Sequence, residues 1–490
     1  MLGPHSRREF LRRSAVAAGA GFAAPWALDL AGLTSASAVG GDDYRALVCL
    51  FMYGGNDHYD TFVPNDPTSH AAYTAARSGI ARAAETILPI EPVGGFTGAG
   101  TFGFAPELAG LREIFDEGAL AVVPNLGTLV RPLDKRSYEV RSDRPPQLFS
   151  HNDQQSYWQS SSPEGARTGW GGRIADVLLD GNTARSAFTC ISVAGNAVMM
   201  TGRQAIQYQV SSRGVTRLRD DTFRYDGGLA GIREIMELQQ PGVFPASYSA
   251  VSARSLDAAD DIAAGVAAAE ARYDFGAGFG EATSSENRDL SRTAAQLEMV
   301  AKLIAAGRDT LGLRRQVFFV SMGGFDNHSG LPSRHPSLLA GLDGALVRFH
   351  RMTQAMGVAQ GVTTFTASDF GRTLVSNGDG SDHGWGGHHL VMGGSVRGRR
   401  VFGTVPVIAD NGPDDVGRGR LLPTTSVDQY AATFATWMGA GSSELATIVP
   451  NIGNYGVADL GFLAEPGSRL GGVGGTADRG LRKATRIATS

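Results

Sequence analysis

Four short segments concentrate side chains that bind cations or move protons. They are YGGNDH (53–58), MGGFDNH (322–328), ASDFGR (367–372) and GSDHGWGGHH (380–389). The first three each follow an apolar, strand-like run, and the fourth precedes one. Glycine lets the backbone turn sharply and come close to a ligand. Asp and His offer the oxygen and nitrogen donors that hard and borderline divalent ions take. One Asp after a strand is ordinarily a turn residue or a helix cap. Four such clusters, three of them with His near the Asp, point to a metal site, with Asp57, Asp326, His328, Asp369 and His383 as the candidate donors.

Of ten histidines, His58, His328, His383, His388 and His389 lie inside these clusters, and His151 adjoins a candidate segment. His70, His335 and His350 read as ordinary surface or helix residues. His388 and His389 are adjacent on a strand and point to opposite faces, so at most one faces a common site. Arg372 offers a guanidinium either to an anion or to an acidic neighbour. Trp158, Trp170 and Trp385 lie in or near the motifs, as pocket walls or as packing.

The elements that must carry these residues alternate. Strands are expected at Arg45–Phe51, Ala119–Val123, Ala187–Val193, Gln316–Val320, Val362–Thr366 and His389–Met392. Helices are expected at Pro106–Glu117, from near Ser150, at Trp170–Leu179, Asp289–Ala306, Ser337–Met356 and Ser426–Met438, the last capped by Ser426. The stretch 200–285 breaks the pattern. It holds a β-like piece (AIQYQV) and an Ala/Asp run at 257–271 that reads as helix, and it is expected to be an insertion or cap. Strands alternating with helices imply an α/β fold, a three-layer sandwich around a mostly parallel sheet. Ligands bind such sheets beyond the carboxyl ends of the strands, where the clusters fall.

Composition limits the alternatives. The 490 residues are 42% hydrophobic and 19% charged, enough to bury a core and incompatible with wholesale disorder. The 66 glycines follow no Gly-X-Y period, which excludes collagen, and a net charge of −4 gives no sign of a nucleic-acid partner. Cys49 and Cys190 sit in apolar runs, as two buried thiols or one disulfide, and two cysteines cannot build a thiolate zinc site. Phosphate loops (GxxxxGK[ST]), HExxH and GxSxG elbows are absent.

The N-terminus reads as an address. Ser6 to Leu11 and Arg12 spell SRREFLR, followed by a weak apolar stretch (Ala15 to Leu33) and an A-x-A cleavage site at Ala36-Ser37-Ala38. Removing residues 1–38, with four arginines and two acidic residues, leaves 452 residues carrying 40 basic and 46 acidic side chains, a net charge of −6. No other apolar run is long enough to span a membrane. The expected organisation is a signal peptide at 1–38, one α/β domain at 39–465 and a flexible tail at 466–490. The expected location is periplasmic or extracellular, with the twin-arginine translocase as the export partner.

Taken in order, SRREFLR, FMYGGNDHYDTFVP, FSHNDQQSYWQS, TGWGGRIADVL, GGFDNHSG, ASDFGRTLVSNG and GSDHGWGGHHLVMGG resemble a large bacterial family of exported proteins defined by a domain of unknown function. The resemblance runs from about Leu47 to Gly453. That family is grouped with the alkaline phosphatase, sulfatase and phosphomutase superfamily, so the resemblance implies an alkaline phosphatase-like sandwich and a bimetallic site acting on phosphate or sulfate esters. It implies Asp326, His328 and His383 as ligands of one divalent ion (zinc, calcium, magnesium or manganese), and Asp57 and Asp369 as ligands of a second. It also implies Ser150, at a helix N-terminus, as the nucleophile.

The sequence departs from that pattern at Asp369-Phe370, where superfamily members commonly carry Asp-His. The closer spacing of Asp326 and His328 and the lack of a Cys/Ser-x-Pro-x-Arg motif are further departures, the last against a formylglycine sulfatase. Two readings follow. One is an exported metal-dependent hydrolase in which Ser150 or water attacks an anionic ester and Arg372 assists. The other is a non-catalytic exported binding or assembly protein that keeps the fold and at most a structural metal.

Overall fold

A computed structural model describes residues 43–98, 100–182, 185–215, 234 and 243–464. The chain divides into two units, Met1–Tyr44 and Arg45–Ser490, and every element below belongs to the second. The proposed signal peptide at 1–38 and tail at 466–490 lie outside the described residues.

The central sheet begins with RALVCLFM, an unbroken apolar run that forms β1 (Arg45–Met52). Seven of its eight residues are buried, so both faces are covered, which is what a run without alternation requires. The remaining strands are β2 (Leu120–Gly127), β3 (Cys190–Ser192), β4 (Tyr208–Gln209), β5 (Arg315–Met322), β6 (Val362–Ser368), β7 (Gly387–Gly393), β8 (Arg400–Val401) and β9 (Thr425–Ser426). Their order is β8-β2-β7-β6-β1-β5-β3-β4, with β9 also on β2. β1 pairs in parallel with β5 and β6, and β7 alone runs against its neighbours. The sheet is therefore the expected mostly parallel one.

Leu47, Cys49 and Phe51 share one core cluster with Trp158 of α3 (His151–Ser160), Trp170 and Ile174 of α4 (Trp170–Leu178), and Tyr430 and Phe434 of α9 (Val427–Met438). Side chains alternate along a strand, so Ala46, Val48 and Leu50, equally buried, face the other way. On that side α7 (Arg288–Ala305) packs on β5 and against α8 (Leu331–Ala355), with α2 (Ala109–Asp116) and α6 (Phe275–Thr283) beside them. Helices on both faces of the sheet make the three-layer sandwich. α1 (Pro67–Arg77) lies against the hairpin strand Arg372–Ser376.

Most expected elements appear within a few residues of their expected bounds. Ser426 caps α9 in a capping box with Gln429. α8 begins six residues before the expected Ser337. The left-handed Gly330 (φ 64°) starts it, Pro332 costs nothing in a first turn, and buried His335 anchors that turn to Asp60 Oδ2 at 2.7 Å. In the 200–285 stretch, Tyr208–Gln209 extends the sheet and α5 (Val243–Arg272), covering the Ala/Asp run, packs on α7. Cys49 and Cys190 are free and buried. β5 lies between their strands, pairing Cys49 with Phe319 and Cys190 with Val317, so two strand spacings of about 4.8 Å hold them beyond disulfide reach. No helix among the described residues is long and apolar enough to cross a membrane.

His335 and His350, read from sequence as surface or helix residues, are buried, as are His388 and His389. Burial pushes the imidazoles of His350 and His388 down to about 4 and that of His389 to about 3. A histidine whose folded pKa lies below its unfolded value near 6.5 stabilises the neutral fold, and that stability is lost as pH falls from 6.5 toward the folded value. Asp343 and Asp428, raised by burial to about 6, act with the opposite sign between pH 4 and 6. The single-site test is His350→Gln. Urea unfolding at pH 7 and pH 4 should show about 3 kcal/mol less acid loss in the variant than in the wild type. Identical slopes would contradict a buried, neutral His350.

Candidate metal centre

The loops after three adjacent strands, β6, β1 and β5, meet at the carboxyl edge of the sheet. Gly54, just past β1, has φ 114°, and a Cβ there would stand 2.4 Å from the Asp326 backbone nitrogen. Only glycine lets the β1 and β5 loops press together at this point. Ser368, at the end of β6, ties the third loop in: its Oγ accepts from Asn56 N and donates to Met52 O, both at 2.8 Å. A short hairpin, Arg372–Ser376 with Ser381–His383, sets His383 opposite Arg372. The first residue of α3 brings in His151.

Arg372 is wholly buried and joins these parts. Its guanidinium donates to Gly54 O at 2.9 Å, to Asp326 Oδ1 at 2.8 Å and to Ser381 O. This pins the β1 loop, the β5 loop and the hairpin to one cation. Of the two partners open to Arg372, the structure places the acidic neighbour: four of its five N–H groups go to Asp326, Gly54 O and Ser381 O.

Around Asp326 Oδ1 stand three imidazoles. His151 Nε2 and His383 Nε2 are each 3.5 Å away, and His328 Nε2 is 3.1 Å away. Donor atoms of His151, Asp326 and His383 all lie within 4.8 Å of one another. An acceptor stands on the far side of each ring. His151 Nδ1 donates to Asp369 Oδ2 at 2.6 Å, His383 Nδ1 to Phe149 O at 2.7 Å, and His328 Nδ1 faces Asp382 Oδ1 at 3.3 Å. A carboxylate or carbonyl oxygen only accepts, so the Nδ1 atoms of His151 and His383 carry a proton, and their Nε2 atoms offer a lone pair when the rings are neutral.

One detail favours a cation within this donor set. His151 Nε2 is buried without a hydrogen-bond partner. His328 Nε2 lies 2.8 Å from His383 Nε2, the distance of an N–H···N hydrogen bond in which one ring donates and the other accepts. Three imidazole nitrogens with one carboxylate suit a borderline ion such as zinc better than calcium or magnesium, which favour all-oxygen shells.

Burial works against the Asp326 carboxylate, but the hydrogen bond and charge of Arg372, with His151 and His328, hold its pKa below the usual range. The hydrogen bond to Asp369 raises His151. Burial lowers His383, and neighbouring positive charge adds to that. The site is open to water on one side, with the Asp326 side chain 48% exposed.

The expected residues divide. Asp326, His328 and His383 come together. Asp57 does not join them: it is wholly buried, pairs with Arg77 through both oxygens (3.1 and 2.7 Å) and accepts from Ser381 Oγ at 2.7 Å. That arrangement holds its pKa far below the carboxylate range despite burial. Asp369 touches His151 and Gln155 and stands one shell behind the cluster. Ser150 occupies the N-cap position of α3, and its hydroxyl donates to Asp153 Oδ2 at 2.8 Å. His388 turns to Asn125 and His58, and His389 to Trp158, so neither enters the cluster. The three tryptophans are buried packing residues. His151 is the ligand candidate that the motifs underplayed. Its signal is its place directly after Ser150 with Gln155 four residues on, which puts both side chains on one helix face.

A cavity of about 440 Å³ lies elsewhere, lined by Glu270, Tyr273, Phe275, Glu298 and Lys302. Lys302 there is paired with Glu270 and Glu298, and none of these residues belongs to the cluster.

The placement of Asp57 makes a prediction. Asp57→Ala leaves the Arg77 guanidinium buried and unpaired and should cost about 3–5 kcal/mol in urea unfolding. Metal affinity of the folded fraction should stay close to wild type. A collapse of metal affinity at unchanged stability would make Asp57 a ligand.

No curated protein matches this sequence. Among solved structures, the chain is similar to Ps i-CgsB in complex with k-i-k-neocarrahexaose (9% identity, 83% of this chain and 74% of that one, TM-score 0.33). It is similar to BT33494S-sulf, from a core genetic locus of Bacteroides thetaiotaomicron for metabolism of multiple glycosaminoglycans (10%, 82% and 74%, TM-score 0.32). It is also similar to a four-substitution mutant of alkaline phosphatase PafA (11%, 69% and 64%, TM-score 0.23). Overlaps this slight leave the chemistry to be read from the chain's own residues. The model of the family described as "Protein of unknown function (DUF1501)" matches residues 44–440, most of the chain, and the protein belongs to that family.

Proposed function

We propose that this protein is an exported, metal-dependent hydrolase acting on a phosphate or sulfate ester. The observation that carries the reading is the buried, unpartnered Nε2 of His151, converging with His383 and Asp326 at the open carboxyl edge of a parallel sheet. His151, Asp326 and His383 would hold a divalent ion, with His328 beside them. When bound, such an ion supplies Lewis acidity to an ester oxygen and makes a coordinated water acidic near neutral pH. Ser150, whose proton points to the Asp153 carboxylate, keeps its oxygen lone pairs available as a nucleophile, and water is the other candidate.

One observation favours the second reading, an exported binding or assembly protein with a structural metal. Asp57 and Asp369, the acids that a second ion would need, are engaged with Arg77 and His151. A one-ion centre lacks the clamp that two ions place on attacking and leaving oxygens.

The two readings separate on the purified mature chain, by metal analysis and a panel of phosphate and sulfate esters. The hydrolase reading expects about one divalent ion per chain, with metal and ester turnover lost together in Asp326→Ala, His383→Ala and His151→Ala. Ser150→Ala should lower turnover at least about a hundredfold with metal retained if Ser150 is the nucleophile. A loaded wild type with no turnover on any ester leaves the binding reading, and a wild type that takes up no ion removes both metal roles.

Export rests on SRREFLR. Changing Arg7 and Arg8 together to Lys should keep the protein in the cytoplasm of a producing bacterium, read by fractionation. Unchanged export would count against the twin-arginine route.

A further inference from the structure

Resting on the metal-centre reading, we infer that Asp369 is a positioning residue for His151 and does not ligate a second ion. Its side chain is fully buried at the end of β6. Oδ2 accepts three hydrogen bonds: from His151 Nδ1 at 2.6 Å, Gln155 Nε2 at 2.9 Å and Gly54 N at 3.2 Å. His151 and Gln155 are four apart on α3, so one oxygen grips one face of that helix and the β1 loop together. Oδ1 has no partner and no water contact. The hydrogen bonds to this carboxylate therefore all fall on Oδ2, the shortest of them the charge-assisted bond to His151.

The surroundings favour positioning over ligation. The next residue is Phe370, whose ring lies 4.8 Å from that of His151 and 4.7 Å from that of His383, an apolar wall where a second-ion ligand would be needed. Asp57 is committed to Arg77. The Asp369 bond resembles in kind those from His383 to Phe149 O and from His328 to Asp382, where the acceptor sets a ring without reaching the cluster. A carboxylate behind a ligating imidazole fixes the tautomer and raises the basicity of the other nitrogen.

The test uses the full mature chain, Zn²⁺ as the probe, and Asp369→Ala with the shape-conserving Asp369→Asn. Calorimetric titration should give one ion per chain in all three. Affinity should fall about 10–100-fold in Asp369→Ala and by less in Asp369→Asn, whose amide oxygen still accepts from Nδ1. Histidine-selective ¹⁵N NMR of the metal-free protein at alkaline pH supplies a readout that general loosening would not move. His151 should be the Nδ1–H tautomer in the wild type and a mixture in Asp369→Ala. If Asp369→Ala does not fold, Asp369→Asn carries the affinity measurement, with a loss of affinity at one ion per chain expected and an unchanged affinity overturning the inference. Unchanged affinity and tautomer with the wild type loaded would overturn this inference alone, as would a stoichiometry falling from two ions to one. A wild type that takes up no Zn²⁺ overturns the metal reading and this inference with it.

Discussion

A buried guanidinium organises this protein's carboxyl edge. Arg372 is taken wholly out of water, and a charge so placed must be answered by fixed acceptors. The acceptors are Gly54 O behind β1, Asp326 behind β5 and Ser381 O in the hairpin that bears His383. Satisfying one cation therefore helps to set the relative positions of three segments, which backbone bonds from Phe325 N to Tyr53 O and from Ser381 N to Asn327 O also join. Asp326 stays ionised as a result, and its second role, facing three imidazoles, follows from where Arg372 holds it.

The parallel sheet is the other half of the constraint. β6, β1 and β5 are adjacent and run the same way, so their following loops emerge side by side. Close packing of those loops needs Gly54, and the β6 loop is stitched down by Ser368. The histidines come from outside the three loops or from their far ends. α3 delivers His151 at its first turn, the hairpin delivers His383, and Phe149, itself in the left-handed region at φ 71°, turns its carbonyl to His383 Nδ1. A bulky residue held at positive φ is strained, and here the strained residue joins the two ligand-bearing segments. Behind the cluster, Asp57 with Arg77 and Asp60 with His335 form a buried polar base under the loops.

The strands were legible in the sequence because fully buried parallel strands read as unbroken apolar runs, as ALVCLFM does. The helices were legible where caps were strong, as at Ser426. The start of α8 was hidden because Pro336 reads as a boundary, while the contact that holds the first turn, His335 to Asp60, joins residues 275 apart. The same limit applied to the site. Asp326, His328 and His383 stood out by type and by place at strand ends. Nothing local distinguishes Asp57, bound to Arg77 twenty residues on, from Asp326, which turns to the open edge. His151 was overshadowed by its neighbour Ser150, and only the fold shows that the histidine, not an acid from the β6 loop, completes the cluster.

The central claim is that His151, Asp326 and His383 share one ion. Anomalous diffraction from crystals soaked in Zn²⁺, collected on both sides of the zinc edge, tests it most directly. The account predicts a peak bonded to His151 Nε2, His383 Nε2 and an Asp326 oxygen at about 2.0–2.2 Å. A peak held by Asp57 and Asp369, or no peak at the carboxyl edge of the sheet, would contradict it.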